Sequence, residues 1–109
     1  MGSFAVGEVV LGPFPFADFS GFKKRPALVI GRAEFDNLIL CQITSQSKTS
    51  ATAIKLTDQD FQTGGLKIVS FVRPDKLITV DQAVVQAKVG LLKVKKIDTI
   101  KTAVRKLFK

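Results

Sequence analysis

Short apolar runs separated by turn residues recur along the first four-fifths of the chain. They predict strands at residues 9–11, 27–30, 37–43, 52–56, 70–73 and 76–80. Gly12, Pro13 and Pro15 are expected to stop the pairing of the first strand, and Pro74 to split the last two. Residues 17–26 are expected to form a polar loop, and residues 62–65 a turn. Short strands at this spacing predict a compact antiparallel barrel or sandwich.

The end of the chain follows a helical period instead. Its apolar positions recur at intervals of three and four, at Val94, Ile97, Ile100, Val104 and Leu107. Such a helix must pack its apolar stripe on the barrel or on a partner. Lys93, Lys95 and Lys96 lie near its start, where the helix dipole disfavours cations and no clear N-cap residue is present. Either the cost is small and screened, or these lysines serve an anion.

Composition narrows the class of protein. The chain has 109 residues, which fits one domain, and it contains one cysteine, Cys41, and no histidine. This excludes an internal disulfide scaffold, a Cys/His zinc site and a ribonuclease that uses histidine as acid and base. Its apolar runs are too short for a membrane span. A reducing compartment, the cytoplasm, is the expected location, and neither a metal nor a cofactor is expected.

The net charge of +8 is concentrated near the C-terminus. Residues 88–109 hold eight basic residues and one acidic residue, a net +7. Residues 1–87 hold nine basic and eight acidic residues, a net +1. The basic run is typical of a solvated helix face, but it also fits a surface that attracts nucleic acid or an acidic protein.

An aromatic and basic segment is the first candidate for chemistry. Within residues 14–26, four phenylalanines precede a cationic triplet: Phe14, Phe16, Phe19, Phe22, Lys23, Lys24 and Arg25. Aromatic faces stack on bases and cations hold phosphates, a combination that single-strand binders use. The alternative is that the phenylalanines are core and the lysines are merely solvated.

Two further segments carry polar groups. Thr44, Ser45 and Gln46 follow the third predicted strand and could bind a phosphate oxygen or satisfy their own backbone. Arg73 and Asp75 project to similar sides of an extended segment. They could form a weak surface ion pair, or a phosphate-binding guanidinium beside a carboxylate base.

Together these segments resemble the MazF/PemK/Kid toxin family of toxin–antitoxin modules. The resemblance rests on the order of five segments over nearly the whole chain: G-E-V-V at 7–10, K-R-P-A-L-V-I at 24–30, I-T-S-Q at 43–46, S-F-V-R-P-D-K-L-I-T-V-D at 70–81 and Gly90-Leu91 before the final helix. It implies an SH3-like antiparallel β-barrel with a C-terminal α-helix, a single domain over residues 1–109 and a homodimer.

The resemblance also implies an activity. Such a protein is a metal-independent endoribonuclease that cuts single-stranded RNA at short sequences. The ribose 2′-hydroxyl attacks the adjacent phosphorus and leaves a 2′,3′-cyclic phosphate and a 5′-hydroxyl. An antitoxin with an acidic, flexible segment neutralises the toxin by covering the RNA groove.

The resemblance assigns site residues position by position. Arg25 matches the arginine before the proline, Thr44 the hydroxyl residue after the third strand, and Arg73 and Asp75 the Arg-x-Asp pair of the Kid-like branch. The expected substrate-binding residues are Phe16, Lys23, Lys24, Ser45 and Gln46.

Physical chemistry limits the roles of these residues. Since no histidine is present, the 2′-hydroxyl must lose its proton to a carboxylate or to a water molecule assisted by an arginine. Asp75 is the candidate base if it is partly desolvated. Arg25 and Arg73 are expected to stabilise the phosphorane electrostatically, because an arginine is a poor literal acid.

Other functions stay open at the level of sequence. The gyrase-inhibiting toxin CcdB is similar in fold without being a ribonuclease, and in that case Arg25 and Thr44 would be dispensable. A non-catalytic nucleic-acid binder would use the basic helix and show steep salt dependence without cleavage. An inactive toxin homologue is the third alternative.

Overall fold

The computed structural model describes residues 3–15, 21–46, 48 and 50–108, which form seven strands, one α-helix and two short 3₁₀ helices, Asp58–Asp60 and Gln82–Val84. The strands are β1 (Glu8–Pro15), β2 (Phe22–Ala33), β3 (Asn37–Thr44), β4 (Ile54–Leu56), β5 (Phe61–Gly64), β6 (Ser70–Asp81) and β7 (Ala87–Leu92). They pair antiparallel in the order β4-β6-β3-β2-β1-β7-β5, and helix α1 (Val94–Arg105) follows β7. This curled sheet with its terminal helix confirms the predicted fold class.

Apolar side chains cover both faces of the sheet, because they alternate along the central strands. One face, here called the inner core, includes Leu28, Cys41 and Ile43 and receives Ile100 from α1. The opposite face, the outer core, includes Ala27, Val29 and Leu40. Residues of both sets are fully buried, so consecutive positions of β2 and β3 are committed to opposite sides. That commitment fixes the pairing register, since a slip of one residue would exchange the two faces.

Helix α1 occupies the predicted segment, but only part of its apolar stripe is covered. Ile100 is buried, whereas Val94 and Leu107 stay 68% and 43% exposed. Lys93 stands at the N-cap without a side-chain cap bond, as expected. Asp60 compensates, because its carbonyl accepts from the Lys93 N–H and its carboxylate pairs with Lys96 at 3.5 Å. No helix in the described ranges has the length and apolar character that a membrane crossing requires.

The prediction that Gly12, Pro13 and Pro15 end the first strand is wrong. β1 continues through them and pairs Gly12 with Arg25 and Pro13 with Lys24. The reason is that β7 accompanies β1 only as far as Leu11, so the later part of β1 is an edge on that side. A proline at an edge withholds no hydrogen bond that the sheet needs.

The same pairing corrects residues 22–26 of the loop predicted at 17–26, whereas residues 17–20 lie outside the described residues. β2 begins at Phe22, so Lys23, Lys24 and Arg25 lie in a strand and have fixed partners on β1. The prediction of a loop rested on their polarity. Polar side chains are compatible with a strand whose end is partly exposed to solvent.

The predicted turn at residues 62–65 and the predicted split at Pro74 are also wrong. Residues 62–65 were expected to turn, but β5 extends to Gly64 and pairs it with Gly90 of β7. Gly64 has a φ of +66°, and a Cβ there would lie 2.2 Å from the Val89 carbonyl oxygen. The glycine therefore permits a close strand approach. Pro74 does not end β6 but lies, fully buried, within an irregular stretch of it.

Candidate functional site

Arg25 on β2 and Thr44 on β3 lie at the same end of the sheet, on adjacent strands. The paired stretch of β2 and β3 ends at Ala27 opposite Gln42. Each residue lies two positions beyond that last pair on its own strand. On the other side of β3, Phe71 lies opposite Thr44, and Lys55 of β4 lies opposite Phe71. The four residues Arg25, Thr44, Phe71 and Lys55, here called the site row, therefore cross four strands.

The site row projects from the outer face of the sheet. Ile43, Val72 and Leu56 all belong to the inner core, so their strand neighbours Thr44, Phe71 and Lys55 point the opposite way. Neighbouring strands lie about 4.8 Å apart, so the row spans about 14 Å from Arg25 to Lys55. The site row lies next to the outer core on the same face of the sheet. Along β3 this face carries the apolar Leu40, then Gln42 and then Thr44.

Arg73 and Asp75 lie on a bulge of β6 that begins two residues after Phe71 of the site row. Cys41 pairs with Leu77 and Ile43 with Val72, so residues 73–76 of β6 stand where β3 has the single residue Gln42. Pro74 anchors the bulge by burial, and the Cys41 Sγ donates to the Arg73 carbonyl at 2.9 Å. Burial, and then the nearby Asp75 charge, raises the pKa of the Cys41 thiol to about 12. The thiol therefore stays protonated and keeps its donor role.

Within the bulge, Arg73 and Asp75 form a two-point ion pair. Arg73 Nε donates to Asp75 Oδ1 at 3.0 Å, and Nη2 donates to Oδ2 at 2.9 Å. Both side chains reach solvent, with 21% of Arg73 and 39% of Asp75 exposed. The prediction that they project to similar sides is confirmed. Because both oxygens are engaged, the carboxylate fixes the plane of the guanidinium.

The ion pair changes the acidity of both groups. The hydrogen bonds from Arg73 lower the pKa of the Asp75 carboxyl, against an opposing effect of partial burial. The same bonds raise the pKa of Arg73. The candidate role of Asp75 as a base depended on desolvation, whereas this carboxylate is solvated and paired. The geometry therefore favours Asp75 as the group that orients Arg73.

The residues after β3 organise the Thr44 hydroxyl. The backbone N–H of Gln46 donates to Thr44 Oγ1 at 3.2 Å, which occupies one acceptor position of the hydroxyl. The Thr44 O–H can still donate to a substrate oxygen. Ser45 and Gln46 are both exposed, adjacent to the row.

The basic and aromatic candidates divide between several places. Lys23 lies two residues before Arg25 on β2 and shares its face, whereas Lys24 points to the other face. Phe14 packs in the outer core, as the alternative interpretation of this segment held. Phe16 is a candidate that lies outside the described residues.

Two members of the site row were not among the sequence candidates. Phe71 is half-buried and Lys55 is exposed, both on the face of Thr44. What the sequence lacked was the order of strands, which alone shows that β4 and β6 continue the row from β3.

The arrangement suits a phosphodiester. Two guanidiniums and a hydroxyl donor can hold the charged oxygens, and the half-exposed Phe71 ring offers a surface for a base. Within the described ranges, no group of three Cys, Asp or Glu side chains is placed to hold a metal ion. Among the described residues, the positive charges in this region belong to Arg25, Lys55 and Arg73.

A family model matches the chain over residues 5–108, and its description is a PemK-like, MazF-like toxin of type II toxin–antitoxin systems. The match spans β1 to the end of α1 and includes every element of the site. A search of curated proteins found no significant match.

Solved structures of low sequence identity share the fold. A MazF from Deinococcus radiodurans superposes with a TM-score of 0.76 at 18% identity, covering 98% of this chain and 97% of its own. The Mycobacterium tuberculosis toxin MazF-mt6 has a TM-score of 0.70 at 21% identity, covering 93% and 95%. A mycobacterial endoribonuclease in complex with its cognate antitoxin has a TM-score of 0.70 at 16% identity, covering 97% and 93%.

Proposed function

The chain belongs to the PemK-like, MazF-like toxins of type II toxin–antitoxin systems, and we propose that it is a sequence-specific, metal-independent endoribonuclease acting on single-stranded RNA. The observation that carries the proposal is the Arg73–Asp75 pair, held on a bulge of β6, the strand that pairs with Thr44. A mycobacterial protein of the same fold is described as an endoribonuclease. We propose that this protein acts in the cytoplasm, where single-stranded RNA is found.

The proposed reaction starts from the ribose 2′-hydroxyl. Its oxygen forms a bond to the adjacent phosphorus, and the bond from phosphorus to the 5′-oxygen of the next nucleotide breaks. The products are a 2′,3′-cyclic phosphate and a 5′-hydroxyl. The 2′-hydroxyl proton leaves to a base, and the departing 5′-oxygen takes up a proton.

Arg73 and Arg25 act on the charge that develops at phosphorus. Prearranged donors of this kind stabilise a transition state more than a ground state, because the oxygens gain charge as the phosphorane forms. Asp75 fixes Arg73 in place, and the raised pKa of Arg73 keeps the guanidinium protonated throughout. Thr44 donates to a non-bridging oxygen.

The proton transfers then belong to other groups. With its pKa lowered, Asp75 is a weak base for a hydroxyl proton. We assign that proton to a water molecule next to Arg25, and the proton for the leaving oxygen to water as well. Lys23, Ser45 and Gln46 are proposed to contact the flanking nucleotides, with Lys24 and Phe16 as further candidates.

A type II toxin is neutralised by a protein antitoxin, and relatives of the same fold have been solved with theirs, among them a MazE–MazF complex from Deinococcus radiodurans. We propose that an acidic, flexible antitoxin segment covers the site row. We also propose that the active form is a homodimer with the same patch on both subunits.

The test is cleavage of a long single-stranded RNA by purified protein in the presence of a chelator, with the new 5′ ends mapped. Cuts at a recurring short sequence with 5′-hydroxyl ends are expected, and Arg25→Ala should abolish them. Arg105→Gln, on the helix, is the control that should cut normally. Intact RNA after incubation with folded protein, over a broad set of sequences, would overturn the proposal.

A further inference from the structure

Helix α1 carries a groove along its exposed side. A cavity of about 360 Å³ lies at its start, lined by Lys93, Lys95 and Thr99 among others. A second, of about 490 Å³, continues past Thr102 to Lys106. Lys95 and Thr99 line both cavities, so the two form one depression, here called the α1 groove.

The groove residues form one stripe of the helix. Lys95, Thr99, Thr102 and Lys106 are spaced by four, three and four residues, which aligns them on one side. Eleven residues at 1.5 Å each make the stripe about 16 Å long. A depression of this length, with a cation at each end, fits an extended chain lying along the helix.

Charge in the groove is positive and mostly uncompensated. Among the described residues, Lys93, Lys95 and Lys106 form no ion pair, whereas Lys96 is paired with Asp60. Asp98 lines the second cavity and is the single acid of α1. The three unpaired lysines outweigh it, so an anionic occupant is favoured.

The occupant that fits best is a phosphate backbone. The side chains that line the groove end mainly in ammonium, hydroxyl and carboxylate groups, and Ile54 and Ala103 are its wholly apolar members. Phosphate oxygens bind ammonium and hydroxyl groups, and the groove adjoins β4, which also carries Lys55 of the site row. The Thr99 O–H already donates to the Lys95 carbonyl at 3.1 Å, so the lysines provide the principal contacts.

The groove is continuous with the proposed site across one edge of the sheet. The site row ends at Lys55 on β4, which is the terminal strand on that side. The preceding residue, Ile54, points the other way and lines the groove. A nucleic-acid strand that extends from Arg25 and Thr44 along the site row would therefore pass Lys55 and cross the edge of the sheet. On the other side it would reach Lys95 and Lys106.

From this geometry we propose that the α1 groove binds the backbone of the RNA that flanks the cleaved site, with Lys95 and Lys106 contacting phosphates. The proposal rests on the proposed ribonuclease function. It assigns the basic helix to substrate binding at a distance from the reaction, and it predicts that the groove acts only on RNA long enough to cross β4.

The test compares Lys95→Gln/Lys106→Gln with Lys101→Gln/Arg105→Gln. Both double variants remove two charges from the same helical segment. Lys101 and Arg105 each lie one residue before a groove residue, Thr102 and Lys106, so their side chains are rotated by about 100° away from the groove. Binding is measured with 2′-O-methylated RNA, which cannot be cut by its own 2′-oxygen, in a short and a long form. The protein's unfolding in urea is measured for each variant.

For the long RNA, the groove variant should bind roughly tenfold more weakly, and the slope of log K against log salt should become shallower by about 1.4. The short RNA should bind both variants like the unmodified protein. The control variant should bind long RNA within about twofold of the unmodified protein, since it leaves the groove contacts in place.

Equal losses of affinity for long RNA in the two double variants would overturn the proposal that the groove binds RNA, because they would indicate general attraction by net charge. An unchanged affinity of the groove variant for long RNA would overturn it as well. If that variant instead lost affinity for a polyglutamate peptide while binding RNA normally, the groove would be an acidic-protein site. In each of these cases the unmodified protein still cuts RNA, so failure of the groove is distinct from failure of the proposed function.

Discussion

The Arg73–Asp75 bulge and helix α1 carry positive charge in opposite ways. Arg73 is held by two hydrogen bonds to one carboxylate, on backbone that is anchored by the buried Pro74. On α1, Lys95, Lys101 and Arg105 are long side chains that form no ion pair within the described ranges. A fixed cation can match the geometry of a transition state, whereas loose cations contribute attraction that salt screens.

This difference changes the meaning of the net charge. Most of the +8 belongs to the last fifth of the chain, and the body that holds the site is nearly neutral. A count of charges therefore points to the helix, while the reaction is proposed to depend on two arginines elsewhere. The predictions below test that division.

The largest effect is expected from Arg73→Ala. Loss of one fixed donor at a developing phosphorane should lower kcat by about a hundredfold to a thousandfold. Arg73→Lys should recover little, because a lysine cannot form the two-point contact with Asp75. The measurement is single-turnover cleavage at saturating RNA. A lysine variant with normal kcat would show that charge alone, without fixed geometry, is sufficient.

Removing the anchor of the helix should affect stability and leave the chemistry intact. Ile100 is fully buried in the inner core, so Ile100→Ala should lower the free energy of unfolding by about 2–5 kcal/mol. Val94→Ala, at a position that is 68% exposed, is the matched control and should cost far less. Urea denaturation compares them. Equal losses would mean that α1 is not held through Ile100.

A smaller effect is expected from Asp75→Asn, which keeps the shape of the side chain and removes its charge. If Asp75 orients Arg73, kcat should fall by roughly tenfold to a hundredfold through misplacement of the guanidinium. The pH profile of the remaining activity should keep its shape above pH 5. Loss of an ionisation near neutral pH in this variant would instead identify Asp75 as the base.

The smallest effect concerns stability in acid. The pKa of Asp75 is lowered in the folded protein, so its contribution is complete above the ordinary value of 3.8 and is lost as the pH falls through the lowered pKa. Because the pair is exposed to solvent, the contribution should not exceed about 1 kcal/mol.

Urea unfolding of the unmodified protein and Asp75→Asn should therefore differ at pH 7 and converge well below pH 4. Asp98→Asn, at an acid that forms no ion pair within the described ranges, is the control. A difference between the unmodified protein and Asp75→Asn that grows in acid would contradict the assigned ion pair.

Local patterns predicted the central strands and the helix, because short apolar runs indicate strands and apolar residues at intervals of three and four indicate a helix. β5, β7 and the second half of β1 were missed, since their form depends on remote partners. Gly64 is a strand residue because β7 approaches it closely, and Pro13 is tolerated because β7 has already departed. Neither circumstance is visible in the neighbouring residues.

The candidate site divides in the same manner. Arg73 and Asp75 are two residues apart, so their pairing followed from spacing alone and was found. The neighbourhood of Thr44, Phe71 and Lys55 depends on the order β4-β6-β3, which no local pattern encodes. Phe71 and Lys55 were therefore passed over.

The measurement that tests the division of labour most directly is the single-turnover cleavage rate of Lys95→Gln/Lys106→Gln at saturating RNA. If fixed arginines carry out the reaction and the helix only binds, the rate should equal that of the unmodified protein once enough RNA is present. A rate that stays as low as that of Arg73→Ala at every RNA concentration would contradict this account.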